Sequence, residues 1–285
     1  MSAFRLLPGR DRGSAARFWL ITGLFAVFIL LVRQMPAIDW TAAALFYDAD
    51  RGGFPAVANP FLEGLRDVNE IIIYVCLLGL LGRLILPRQY KFGDAKALLF
   101  VLVVLICGTG ITINSLFKET IGRPRPHQVE MFGGAHPYVP PAQDAAFCQS
   151  NCSFPSGEAG LAFTYAAIAL TLSGKPAMIA LGLGLVWGVA MSGMRMSFGA
   201  HWLSDVITSG FVVFVWAWVF GWLFYTRSPP WLSSEAIDKA LFATRSALGR
   251  ELGYALRVHA DAISAALNYL RRIFGPLVER IRTRL

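Results

Sequence analysis

The sequence predicts an all-α fold: a bundle of six transmembrane helices followed by an amphipathic C-terminal helix on the cytoplasmic side. Three observations carry this expectation. Hydrophobic residues make up 55% of the 285 positions and charged residues 15%, where soluble domains carry about 25% charged residues; mean hydropathy is +0.53. The apolar residues fall into long blocks, not the short alternating segments of a membrane barrel. Lys and Arg gather in alternate loops and in the tails. The net charge of +8 is therefore read as the positive-inside bias of a membrane protein, and no nucleic-acid partner is expected.

Taken in order, residues 1–17 form a cytoplasmic segment with Arg5, Arg10, Arg12 and Arg17. The spans run over 18–33, 71–86, 97–117, 157–173, 176–194 and 202–225, several of them shorter than the roughly 20 residues a span needs, so flanking residues must extend them or snorkel. The first block lacks a small-residue cleavage site and is read as a retained span. Arg83, Arg88, Lys91 and Lys96, then Lys175, then Arg227 and the tail share one side with the N-terminus, which makes that side cytoplasmic for both termini. In a bacterial inner membrane the opposite, periplasmic side receives Arg51, Arg66, Lys118, Arg123, Arg125 and Arg195, with Arg33 at its boundary. Cations normally avoid that side, so their grouping there asks for a function.

The first outer loop, 34–70, is acidic, with Asp39, Asp48, Asp50, Glu63, Asp67 and Glu70. Its Phe54, Phe61, Leu62, Leu65 and Val68 suit either a short helix lying on the membrane surface or a plain capping loop. The second outer loop, 119–155, is rich in proline. Cys148 and Cys152 lie in it on the oxidising side, where a disulfide would pin the segment before Pro155. A zinc site there would have just His127 and His136 as spare ligands, so no metal is expected. Cys76 and Cys107 sit within spans and read as apolar filler. In the tail, 226–285, Pro229-Pro230 ends the last span, a helical pattern runs from Ser233 to Phe274, and Gly275-Pro276 should stop it. Ten Lys and Arg against five acids suit a basic helix on the anionic inner leaflet, or a helix contact between copies; no oligomeric state follows.

Three polar segments between 118 and 205 hold the chemistry. Lys118 and Arg125 lie seven apart, with Pro124 and Pro126 holding Arg125 extended; a guanidinium grips phosphate by its fork and a lysine as a point charge. Ser156, Gly157 and Glu158 open the fourth span, where unpaired N–H groups favour an anion, although Pro-Ser and a first-turn Glu also spell an ordinary capped helix. Arg195 ends the fifth span. His201 and Asp205 are four apart at the start of the sixth and share a face if helical; a carboxylate can hold an imidazole tautomer, and histidine can attack phosphorus.

Together the segments resemble the type-2 phosphatidic acid phosphatase superfamily, which shares its site with the vanadium haloperoxidases. Lys118, Arg125 and Pro126 match the first motif of that family, Pro155, Ser156 and Gly157 the second, and Arg195, His201 and Asp205 the third. The resemblance implies that His201 attacks phosphorus with Asp205 orienting it, while Lys118, Arg125, Ser156, Gly157 and Arg195 hold the phosphate oxygens. It implies no cofactor and no metal. Two positions depart from the pattern: Met194 replaces the serine before Arg195, and Glu158 stands where the family has its general-acid histidine. Glu158 either donates the proton, or serves a leaving group that needs little help, or marks a weak catalyst. A Ser-Gly-Glu variant is similar to bacterial members resembling lipid A phosphatases. The expected partner is thus a phosphorylated membrane lipid in the bilayer, lipid A-like or a polyprenyl diphosphate such as undecaprenyl diphosphate. The same motifs also suit lipid-to-lipid phosphotransfer, or phospholipid binding without catalysis.

Overall fold

The computed structural model describes residues 12–85 and 93–282. Arg5, Arg10, Arg88 and Lys91, used above to orient the chain, lie outside the described residues. Within these residues the protein is helical, with isolated two-residue bridges in place of any strand. Helix α1 is Arg12–Gln34, α2 Ala37–Ala44 and α3 Pro60–Ile85. Helix α4 runs Ala95–Thr120, α5 Gly157–Ala167, α6 Lys175–Ser197, α7 Leu203–Arg227 and α8 Ser234–Arg282.

Helices α1, α3, α4, α6 and α7 are long and apolar enough to cross a membrane. The expected span over 157–173 is different: α5 has 11 residues, continued by a 3-10 turn over Ile168–Thr171. It is also the most enclosed, with seven residues buried and its faces against α6 and α7. Small residues make this enclosure feasible. At Gly184, a Cβ would lie 2.4 Å from the backbone of Ala166, so α5 and α6 meet backbone to backbone.

Two other elements differ from the sequence expectation. The stretch with Phe61, Leu62, Leu65 and Val68 is not a separate surface helix; it is the outer part of α3, which runs unbroken from Pro60 to Ile85. The C-terminal helix does not stop at Gly275-Pro276 but continues to Arg282. One proline removes one backbone donor, and the helical residues on either side carry the chain across it. Near its start α8 is tied to the bundle by the Arg83–Asp238 ion pair and by Ser234 Oγ donating to Asp94 Oδ1 at 2.8 Å.

From residue 105 α4 changes to the wider π register as far as Phe117. Thr112 Oγ1 and Ser115 Oγ each donate to the carbonyl five residues back, at 2.7 and 3.1 Å. π segments recur at functional sites because they re-aim side chains; this one leads into Lys118.

Helices α2 and α7 are fastened to the loop after α4 by Arg123, which is fully buried. All five of its N–H donors are engaged. Nε donates to Val139 O at 2.7 Å, and Nη1 to Ser204 Oγ at 2.8 Å and to Asp205. Nη2 donates to Asp39 Oδ2 at 2.7 Å and to Tyr138 Oη at 3.2 Å. The guanidinium also lies 5.4 Å from the Trp202 ring centroid. Asp39, fully buried at the start of α2, accepts from Ser204 N–H at 2.9 Å and so caps α7. Burial alone would loosen the Arg123 proton, but Asp205 and Asp39 outweigh it and push its pKa up.

Breaking a buried ion pair from one side leaves an uncompensated charge and costs about 3–5 kcal/mol. Arg123→Met should therefore destabilise the detergent-solubilised protein by about that much in chemical denaturation. A loss under about 1 kcal/mol, the scale of a surface pair, would contradict the assignment.

Candidate active site

One cavity of about 490 Å³ between α3, α4 and α5 is lined by Lys118, Arg125, Gly157, Glu158, Arg195 and His201. Six of the eight residues expected to act on phosphate thus share one wall. Ser156 and Asp205 do not reach it. Ser156 is fully buried and its Oγ accepts from Ala159 N–H at 3.3 Å, so it caps α5. Asp205 is buried behind His201.

The cations reach the wall from different elements. Lys118 ends the π segment. Arg125 follows in an extended backbone, and its N–H is fixed by Gln128 Oε1 at 2.9 Å. Asn151 clamps both: its Oδ1 accepts from Lys118 Nζ at 3.0 Å, and its carbonyl from Arg125 Nη2 at 2.8 Å. Asn151 has φ 49° and lies inside the Cys148–Cys152 disulfide, whose Cα atoms are 5.7 Å apart. The crosslink therefore holds the loop that spaces these two cations. Gly157 admits Asn114 to the wall; a Cβ there would lie 2.4 Å from Asn114 Oδ1.

His201 sits on the turn between α6 and α7. Gly199, at φ +61°, makes that turn against the Phe54 ring, which a Cβ would approach to 2.4 Å. The His201 side chain is 2% exposed. Its Nδ1 lies 2.7 Å from Ser153 O. A carbonyl only accepts, so the proton is on Nδ1 and the lone pair is on Nε2. Asp205 Oδ2 is 3.6 Å from Nδ1, too far for a good hydrogen bond. Its oxygens instead serve Arg123, Ser153 Oγ and, at 2.9 Å, Trp202 N–H. Asp205 thus reaches the imidazole through Ser153 and through space. Burial pushes the His201 pKa down to about 4; Asp205 pulls the other way, and Arg195 and Lys118 add to the lowering. The imidazole is neutral at ordinary pH, as a nucleophile must be.

Glu158 lies between two guanidinium groups. Arg66 Nε donates to Oε1 at 2.7 Å, and Arg195 Nε contacts Oε2. That second contact lacks hydrogen-bond geometry, and both its atoms are buried without a hydrogen-bond partner. Both oxygens of Glu158 thus face cations.

Sequence reasoning missed Arg66, Asn114, Asn151, Ser153 and the role of Arg123. Arg66 had one signal, its position among cations on the outer side; the others depend on contacts between distant segments.

Between pH 6.5 and about 4 the unfolded chain binds a proton at His201 that the folded chain does not. The His201 contribution to stability is complete above that window and is lost as pH falls through it. The unfolding temperature of the wild type relative to His201→Asn should therefore fall as pH drops from 7 to about 4.5. A difference that stays constant with pH would contradict the buried neutral imidazole.

Residues 95–229 match the family model described as the PAP2 superfamily. The chain is 33% identical over 219 residues to a lipid A 4'-phosphatase of Francisella tularensis subsp. novicida (strain U112), covering 74% of this chain and 98% of that one. It is 33% identical over 217 residues to a lipid A 4'-phosphatase of Rhizobium leguminosarum, covering 69% and 91%. It is likewise 33% identical over 211 residues to one of Rhizobium etli, covering 66% and 78%. No solved structure matches. Matching the family model through the segment that holds Lys118, Arg125, Arg195 and His201, and these relatives over most of its length, the chain belongs to the PAP2 superfamily.

Proposed function

We propose that this protein is an integral-membrane lipid phosphatase that removes a phosphate monoester from a lipid A-like glycolipid at the periplasmic face, through a phosphohistidine. The observation that carries the proposal is the bare Nε2 of a neutral, buried His201 in the same cavity as Lys118, Arg125 and Arg195. The cavity is polar where these residues meet, and Ile73, Leu105 and Leu161 line it further along the helices. That gradient suits a phosphate attached to an apolar body. The names of the relatives favour lipid A within this class.

The phosphate oxygens bind Lys118, Arg125, Arg195 and the N–H groups at the start of α5. Nε2 of His201 attacks phosphorus; the P–N bond forms as the P–O bond to the lipid breaks. Nδ1 keeps its proton on Ser153 O throughout. Attack makes the ring cationic. The buried group beside it, Arg123 with Asp39 and Asp205, carries one positive and two negative charges, and this surplus negative charge stabilises the ring. Glu158 is the proton donor to the leaving oxygen. A phosphate that takes over its arginines frees its oxygens to face the leaving oxygen. Water then attacks the phosphohistidine, Glu158 accepts its proton, and inorganic phosphate leaves.

In the membrane, the five long helices and the short α5 make six spans, so that 18–225 is the phosphatase domain between a cytoplasmic segment, 1–17, and a cytoplasmic tail, 226–285. The inner-side Lys and Arg residues support the orientation. On α8 the exposed Leu248, Leu252, Leu256, Ile263 and Leu267 recur at four- or seven-residue steps, and a basic helix with such a face suits the anionic inner leaflet.

Phosphate release from lipid A, an isoprenoid diphosphate, phosphatidylglycerophosphate and phosphatidic acid tests the substrate. Lipid A should turn over fastest, with His201→Ala inactive on all four; release from none, or activity surviving in His201→Ala, rejects the proposal. Glu158→Gln should cost about a hundredfold or more on lipid A and little on p-nitrophenyl phosphate, whose leaving group needs no proton. Equal losses on both would remove Glu158 as the donor.

A further inference from the structure

We propose that Arg66 is a fourth phosphate-binding cation, and that Glu158 is an internal anion occupying the place of the substrate phosphate until the phosphate displaces it. The inference rests on the phosphatase reading of the same site and adds a residue outside the three motif segments.

Arg66 projects from the outer part of α3 and lines the cavity that holds His201. It also lines an adjoining cavity of about 480 Å³, together with Arg125 and Arg195. These three arginines therefore line both spaces. The contact of Arg66 with Glu63, at 3.9 Å, is a loose surface pair. Its short bond, 2.7 Å, is to Glu158. The Arg66 side chain keeps 43% of its surface exposed, so it can follow a ligand without leaving a buried site.

A carboxylate and a phosphate offer a guanidinium the same pair of oxygens. Glu158 places its two oxygens on two different arginines, which is how a bridging phosphate would bind. The Arg195 side of this bridge is poorly made. Arg195 Nε and Glu158 Oε2 touch without hydrogen-bond geometry, and each is buried with no other partner. Buried polar atoms without partners are rare, and here a ligand with a freer choice of oxygen positions would satisfy Arg195 better. A phosphate dianion entering beside Lys118 and Arg125 would also repel Glu158. Both effects act in one direction, exchanging carboxylate for phosphate at Arg195 and Arg66. Glu70, the other carboxylate on the wall, makes no ion pair with either arginine among the described residues and stays outside the exchange.

The test titrates inorganic phosphate against the purified full-length protein in detergent. Its reading is the concentration that half-saturates the rise in unfolding temperature, which needs no turnover. Arg66→Met should weaken phosphate binding by about tenfold or more, the scale of a charged hydrogen bond, and Arg66→Lys by less. Glu158→Gln should tighten it by a similar factor. The double variant Arg66→Met, Glu158→Gln leaves neither charge unpaired and separates binding from folding. If Arg66 binds phosphate, the double variant remains clearly weaker than Glu158→Gln alone. If Arg66 serves only to hold Glu158, the two match, and the proposal is overturned. Unchanged affinity in Arg66→Met, or weaker affinity in Glu158→Gln, also overturns it. A wild type that binds no phosphate would sink the phosphatase reading itself.

Discussion

The structure depends on one buried cation. Arg123 holds Asp39 from α2 and Asp205 from α7, and its own backbone belongs to the loop after α4. Two stretches of chain, 84 and 82 residues from it in sequence, meet on its guanidinium. Two carboxylates buried side by side would repel each other strongly in a medium of low dielectric; one cation between them makes the arrangement tenable. The group keeps one negative charge in surplus, directly behind the imidazole. The same contacts hold Asp205 in place beside the His201 ring.

Order then passes outward from this group to the cavity. Ser153 connects the two, its hydroxyl on Asp205 and its carbonyl on His201 Nδ1. The tautomer is fixed by a backbone oxygen, and the carboxylate acts at one remove. Beside it the disulfide loop sets the spacing of Lys118 and Arg125 through Asn151. The two cations are thus held by the chain's own contacts. Glu158, an anion supplied by the chain itself, pairs with the neighbouring cations Arg66 and Arg195.

Much of the site was legible in the sequence because its residues are local in pattern. Lys118 and Arg125 are seven apart with prolines around the second; His201 and Asp205 are four apart at a helix start; Cys148 and Cys152 are close in an outer loop. Spacing carries such information. Arg123 was visible just as one more outer charge, since nothing near it in sequence announces Asp39 or Tyr138. Asn151 and Ser153 look like any polar loop residues until the fold brings Lys118, Arg125 and His201 to them. Glu158 was legible as a departure from its family, but its two arginine partners lie 92 and 37 residues away. The all-helical class followed from hydropathy, whereas helix lengths did not: apolar runs do not reveal that α5 ends early, nor a single Gly-Pro that a long helix continues past it.

The central claim is that phosphorus is attacked first by the imidazole and only then by water. It is tested most directly by the stereochemistry of hydrolysis, using a substrate made chiral at phosphorus by sulfur and heavy oxygen. Two successive in-line displacements return the original configuration, so the account predicts net retention in the released thiophosphate. Net inversion would mean that water attacks directly, and would contradict the nucleophilic role of His201.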